Sequence, residues 1–137
     1  MEILLAIIIV LSAAIIAKLV RHQSQPKNIK ELREIAESKT AVMPPKPFTT
    51  DGCTFCPDNL FGKDVSRVCI EHDMQYWRGG SREERKMADI KLRDGVNKII
   101  YPLGYFMYLA VRAFGHPKVP GPWRWGYGFE YPYPNKY

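Results

Sequence analysis

The chain has 137 residues, 46% hydrophobic and 25% charged, an ordinary globular mixture with length for one compact domain plus appendages and not for two. The formal net charge is +6. That balance favours an anionic partner surface, phospholipid headgroups ahead of nucleic acid, and no internal repeat or phosphate-cradling glycine loop points elsewhere.

In chain order, residues 3–17 are apolar except for Ser12, and Lys18 can snorkel so that Leu19 and Val20 extend the run to 18 residues, near the roughly 20 that a helix needs to cross a bilayer. The expectation is a retained transmembrane anchor over 1–20, because the first residues lack the basic n-region and the cleavage site of a signal peptide. Lys18, Arg21, Lys27 and Lys30 all follow the span. By the positive-inside rule they place the following domain on the cytoplasmic side of a membrane. Asn28 and Glu31 form a capping box for a short helix to about Ser38. Its face of Ile29, Leu32 and Ile35 either docks on the domain or belongs to a solvated spacer. Met43-Pro44-Pro45-Lys46-Pro47 is an extended linker, so 21–47 connects the anchor to a domain over 48–137.

Residues 51–62, Asp-Gly-Cys-Thr-Phe-Cys-Pro-Asp-Asn-Leu-Phe-Gly, form a turn-rich loop loaded with oxygen ligands, which suits a hard cation. Asp64 or Ser66 can cap the next helix, whose positions Val65, Val68, Cys69, His72 and Tyr76 recur at three and four until Gly79-Gly80 ends it. Ser81-Arg82-Glu83-Glu84 is a second capping box, opening a helix to about Ile100 with Ala88, Leu92, Val96 and Ile99 inward. The short turn makes the two helices antiparallel neighbours. Counting outward from the turn brings Asp89 level with His72 to within one residue. A carboxylate there can orient the imidazole and be held by Tyr76, which shares the His72 face. The plainer alternatives are core residues with satisfied hydrogen bonds, and a surface pair of Asp89 with Arg85 or Arg93. A third helix over Leu103–Phe114 ends at Gly115 and Pro117. Beyond it, residues 115–137 form an extended aromatic tail. Trp123, Trp125, Tyr127, Phe129, Tyr131 and Tyr133 fall on alternate positions and would line one face of a strand, packed on the helices or laid in a headgroup layer.

The loop and the run Cys69-Ile70-Glu71-His72-Asp73-Met74-Gln75-Tyr76 together resemble the small phospholipase A2 enzymes of bacteria and fungi. Those carry an Asp-Gly-Cys calcium segment, a Ser/Thr-x-x-Pro-Asp-Asn loop and Cys-x-x-His-Asp-x-x-Tyr; the match covers about residues 51–89. The resemblance implies a small helical phospholipase A2-like domain with two antiparallel core helices, which together with the N-terminal transmembrane helix expected from the apolar run makes the fold mainly α. It implies a calcium-dependent hydrolase that cleaves the sn-2 ester of phospholipids. His72 would be the base, Asp89 its supporting carboxylate and Tyr76 the holder of that carboxylate. Calcium would sit on the Asp51 carboxylate, the Gly52 carbonyl and the Asp73 carboxylate. It also implies a Cys53–Cys69 disulfide, a bond of oxidising compartments that conflicts with the basic flank. The aromatic tail is not part of the family pattern.

Cys53-x-x-Cys56 followed by Cys69-x-x-His72 has, alternatively, the ligand count and spacing of a structural zinc site. That arrangement uses all three cysteines but consumes His72, leaving a non-catalytic, membrane-anchored binding module. A phospholipase-like scaffold without turnover, serving as a subunit of a membrane assembly beside a membrane-protein partner, is a third arrangement.

Overall fold

A computed structural model describes residues 28–53 and 58–133. Its elements are α1 (Ile29–Ser38), β1 (Asn59–Leu60), β2 (Lys63–Asp64), α2 (Ser66–Arg78), α3 (Arg82–Ile99) and α4 (Leu103–Phe114). β1 and β2 pair antiparallel, Asn59 with Asp64 and Leu60 with Lys63. Phe61 and Gly62 turn the hairpin, both at positive φ, as a two-residue loop of matching twist requires.

Local chemistry explains the helix ends. The Asn28 side chain accepts the Glu31 N–H at the start of α1. Asp64 accepts the Ser66 N–H at 2.8 Å before α2. Ser81 and Glu84 make both bonds of a capping box ahead of α3. Gly79, at φ 69°, ends α2. α2 and α3 run antiparallel: a Cβ added at Gly95 would press on Val68, His72 meets Asp89, and Arg85 meets Tyr76.

The main core joins α2, α3 and α4 through Val65, Cys69, Leu92, Val96 and Met107. Cys53 enters it by a disulfide to Cys69, with a Cα–Cα distance of 5.2 Å. A second cluster of Ala36, Phe48 and Trp77, with Leu32 beside it, docks α1 and the proline-rich segment onto α2. The Arg33 Nε donates to the Phe48 carbonyl and the Trp77 indole N–H to the Lys46 carbonyl. α1 is therefore not a solvated spacer.

Three expectations are corrected. Among the described residues no helix is long and apolar enough to cross a membrane. α4, the most apolar, has 12 residues, about 18 Å of rise against a hydrocarbon core of about 30 Å. The 18 residues of α3 carry Arg, Glu, Lys and Asp throughout. Among the described residues the architecture is four helices and a short antiparallel hairpin, and the single-pass anchor and the membrane localisation drawn from it are not supported. Residues 1–20, where the span was placed, lie outside the described residues.

The aromatic tail is not an extended strand either. Residues 115–133 run as successive turns, with Arg124, Trp125 and Gly126 buried consecutively instead of alternately. Several of their backbone donors close turns within the segment, and two go to the end of α2. The Gly126 N–H reaches the Tyr76 carbonyl at 2.6 Å and the Gly128 N–H the Trp77 carbonyl at 3.1 Å. These are last-turn carbonyls of α2 with no partner inside the helix. The approach is close enough that a Cβ at Gly128 would collide with Trp77 and Pro44.

The disulfide, finally, closes a loop of sequence separation 16 and constrains the unfolded chain. Such bonds are commonest in oxidising compartments, whereas the basic flank had pointed to the cytoplasmic side. Cys53→Ser should cost about 3 kcal/mol, read as a lower denaturant midpoint with an unchanged helical circular-dichroism spectrum; an unchanged midpoint would mean that the bond contributes nothing.

Candidate active site

The site begins with a carboxylate that has no access to water. Asp89, on the inner face of α3, is 0% exposed. His72 Nε2 lies 2.8 Å from Asp89 Oδ1, and the Tyr76 hydroxyl donates to the same oxygen at 2.7 Å. Arg112 of α4 donates to Oδ2 at 2.8 Å, and Arg85 Nε lies 3.9 Å from that oxygen. Arg85 also donates to the Tyr76 hydroxyl at 3.2 Å and to the carbonyls of Val111 and Arg112 at 3.0 and 2.9 Å. Burial pushes the Asp89 carboxyl up, but bonds from His72, Arg112 and Tyr76, with the charge of His72, more than offset it and hold it below the usual carboxylate range. Tyr76 is raised well above an ordinary phenol, by burial first and then by the Asp89 charge, so it remains a donor. Its ring lies 4.3 Å from that of His72 and meets Trp125 edge-on at 5.0 Å.

The second half of the site lies about 100° round α2, at Asp73. The Thr50 hydroxyl donates to Asp73 Oδ2 at 2.5 Å and accepts the Gly52 N–H at 3.0 Å. Asp58 Oδ1 accepts the Cys53 N–H at 2.8 Å. Gly52 has φ 73°, and a Cβ there would run into the Asp58 carboxylate, so the loop requires glycine twice over. The Asp73 carboxyl is held well above its ordinary range. Burial is the largest cause, the Thr50 bond opposes it, and the charges of Asp51 and Asp58 add to it.

The charges of Asp51 and Asp58 reach Asp73, and the carboxylate and carbonyl oxygens of Asp51, Gly52 and Asp73 are the donor type that a hard cation takes. Among the described residues no group of three or more His, Cys, Asp or Glu side chains could hold a metal by itself. A cation would therefore rest on the two carboxylates, the Gly52 carbonyl and water. The zinc arrangement does not fit: Cys53 and Cys69 are bonded to each other, so neither is a thiolate, and His72 engages Asp89. Cys56, its fourth member, lies outside the described residues.

His72, Tyr76 and Asp89 come together as a hydrogen-bonded unit, and Asp73 stands beside Thr50 on the adjoining face. Sequence reasoning missed Arg112 and Thr50 and treated Arg85 as a surface partner. Arg85 is instead 1% exposed, and Arg93 pairs outside with Asp94 at 2.7 Å. Arg85 lies four residues before Asp89 and on its face, a signal that was available; nothing local marks Arg112, which arrives from another helix. No protein-family model matches the chain, nor does any curated protein or solved structure.

The two carboxylates should respond oppositely to pH. Asp89, lowered on folding, stabilises fully above its unfolded value of about 3.9, and that contribution is lost as pH falls through the folded value. Asp73, raised on folding, begins to cost stability as pH rises past the unfolded value of about 3.9, and the cost is complete once pH exceeds its folded value. In metal-free protein at pH 7, Asp73→Asn should therefore raise the thermal midpoint while Asp89→Asn lowers it. Equal losses in both variants would contradict this electrostatic picture.

Proposed function

We propose that this protein is a calcium-dependent phospholipase A2-like carboxylic ester hydrolase that cleaves the sn-2 ester of phospholipids. One observation carries the reading: the buried His72–Asp89 pair at 2.8 Å, with Tyr76 on the same carboxylate oxygen. The Asp51-Gly52 and Asp73 oxygens on the adjoining face support it, as does the resemblance over residues 51–89.

Ionised Asp89 only accepts hydrogen bonds, so the proton of neutral His72 sits on Nε2 and Nδ1 offers the lone pair. His72 takes a proton from water through Nδ1 as the water oxygen attacks the sn-2 carbonyl carbon. Asp89 then faces an imidazolium, and its charge favours that state. His72 returns the proton to the glycerol oxygen as the C–O bond breaks, leaving a fatty acid, a lysophospholipid and a neutral base. Tyr76, Arg85 and Arg112 hold Asp89 and do not touch substrate. Asp51, the Gly52 carbonyl and Asp73 would hold the calcium ion, whose chemistry there is stabilisation of negative charge on the carbonyl and phosphate oxygens.

Substituting His72→Gln keeps a polar side chain and removes the base. Fatty-acid release from a mixed phospholipid dispersion should fall by about 10²–10⁴-fold with the circular-dichroism spectrum unchanged. Asp73→Asn should abolish calcium dependence and turnover together. Wild-type rates in His72→Gln would end the hydrolase reading.

A further inference from the structure

α4 is apolar on both of its faces. Gly104, Met107 and Val111 recur at three and four and turn inward: the Gly104 N–H donates to Asn97 Oδ1 of α3 at 2.8 Å, and Met107 and Val111 join the main core. Pro102, Tyr105, Phe106, Leu109 and Ala113 recur at helical spacing on the opposite side, and all five are exposed. Tyr101 lies edge-on to Tyr105, with ring centroids 6.1 Å apart, and extends the patch. Tyr101, Phe106 and Leu109 are 75%, 67% and 64% exposed, and Tyr105 is half exposed. At roughly 200 Å² for a large side chain these four leave about 500 Å² uncovered, in the upper part of the range for the largest patch on a monomer.

The patch carries no charge of its own. Residues 99–111 contain no Asp, Glu, Lys, Arg or His, and the Arg112 guanidinium is turned inward onto Asp89. A helix that lies in a headgroup layer has Lys or Arg along the edges of its apolar face, and α4 offers none there. Arg93 sits at one rim, 5.7 Å from the ring centres of Tyr105 and Tyr108, and is paired with Asp94 at 2.7 Å. An uncharged centre inside a polar rim is the pattern of a protein interface. With a net charge of +6, two copies repel over much of their surface and least across this patch.

The stripe is also symmetric about a point between Met107 and Tyr108. When two α4 helices pair antiparallel across a two-fold axis at that point, Phe106 of one copy meets Leu109 of the other, Tyr105 meets Ala110, and Pro102 meets Ala113. Each contact then occurs twice, as a two-fold interface requires, with large side chains against small ones at the outer pairs. We infer that this face of α4 is a homodimer interface, covered by α4 of a second copy in that antiparallel register. The two patches bury about 1,000 Å² from their large side chains, and Pro102, Ala110 and Ala113 bring the total to the roughly 1,200 Å² at which stable specific interfaces begin. Arg112, on the inward side of the same helix, holds Asp89, so pairing also steadies the helix that closes the His72–Asp89 unit. The inference does not depend on the hydrolase reading.

Sedimentation equilibrium of the full chain tests it with Phe106→Glu and Leu109→Lys, both at exposed positions. Wild type should pass from monomer to dimer across the micromolar range, with a thermal midpoint that rises with protein concentration. Each variant alone sets a charge against an apolar side chain at both symmetry-related contacts. It should raise the dissociation constant at least tenfold while keeping the wild-type circular-dichroism spectrum. The two variants mixed in equal amounts should dimerise again, because the new carboxylate of one copy then faces the new ammonium of the other, and the second contact keeps Phe106 against Leu109. A wild type that stays monomeric would overturn the inference, whether neutral phosphatidylcholine vesicles or the chain's own residues 3–20, located by cross-linking, prove to cover α4. A dimer that both variants leave intact would do the same by placing the contact elsewhere. So would a mixture of the variants that stays monomeric, since the antiparallel register requires the rescue.

Discussion

A fully buried carboxylate costs several kcal/mol unless donors surround it, and Asp89 is surrounded from three helices. His72 and Tyr76 come from α2, Arg85 from its own α3, and Arg112 from α4. Arg85 extends the arrangement by binding the carbonyls of Val111 and Arg112, in the last turn of α4. The rest of the fold must respect this knot. A one-residue slip of α2 against α3 would turn His72 away from Asp89 and bring an uncompensated charge into the core. The network therefore sets helix register as well as orienting the imidazole, and α4, which the family resemblance does not reach, becomes part of the site through one guanidinium.

The C-terminal turns do for α2 what a single cap residue does for an ordinary helix. Gly126 and Gly128 satisfy the carbonyls of Tyr76 and Trp77, and the Trp125 indole donates to the Gly80 carbonyl at 3.0 Å. Trp125, 0% exposed, packs with Tyr76 and Ala88. The ring that holds Asp89 is thus itself held by residues about fifty positions further along the chain. This gives the aromatic segment a packing role in the site with no contact to the reacting atoms.

Local rules carried far into this chain where the signal was local. The capping box at Ser81 and Glu84, the break at Gly79 and the level of Asp89 with His72 all follow from short-range geometry, and the structure contains each. The tail failed because alternation of aromatics is only a statement about side chains. Gly126 and Gly128 let the backbone come close to α2, and an unpaired helix end was a nearer partner for their N–H groups than any strand. Arg112 was invisible for a different reason: its partner lies 23 residues away on another helix, and its own neighbours, Val111 and Ala113, mark nothing. The membrane expectation rested on residues 1–20, and the described helices supply none of the length or apolarity it needed.

His72 and Asp73 are consecutive, yet the two carboxylates associated with them sit in opposite electrostatic states. Asp89 is surrounded by donors and cations and is lowered; Asp73 is buried near Asp51 and Asp58 and is raised. Helical geometry makes this possible, since adjacent side chains diverge by about 100° and face different neighbours. One face of α2 is complete in its charges and can hold a base rigidly. On the other face Asp73 is buried beside the charges of Asp51 and Asp58, and the Thr50 hydroxyl bond only partly offsets them. Pairs of acids whose environments pull them apart are characteristic of sites with divided roles. Here the division follows from packing alone: the stabilised acid ties three helices together, and the destabilised one is held in place by burial and a single hydroxyl bond.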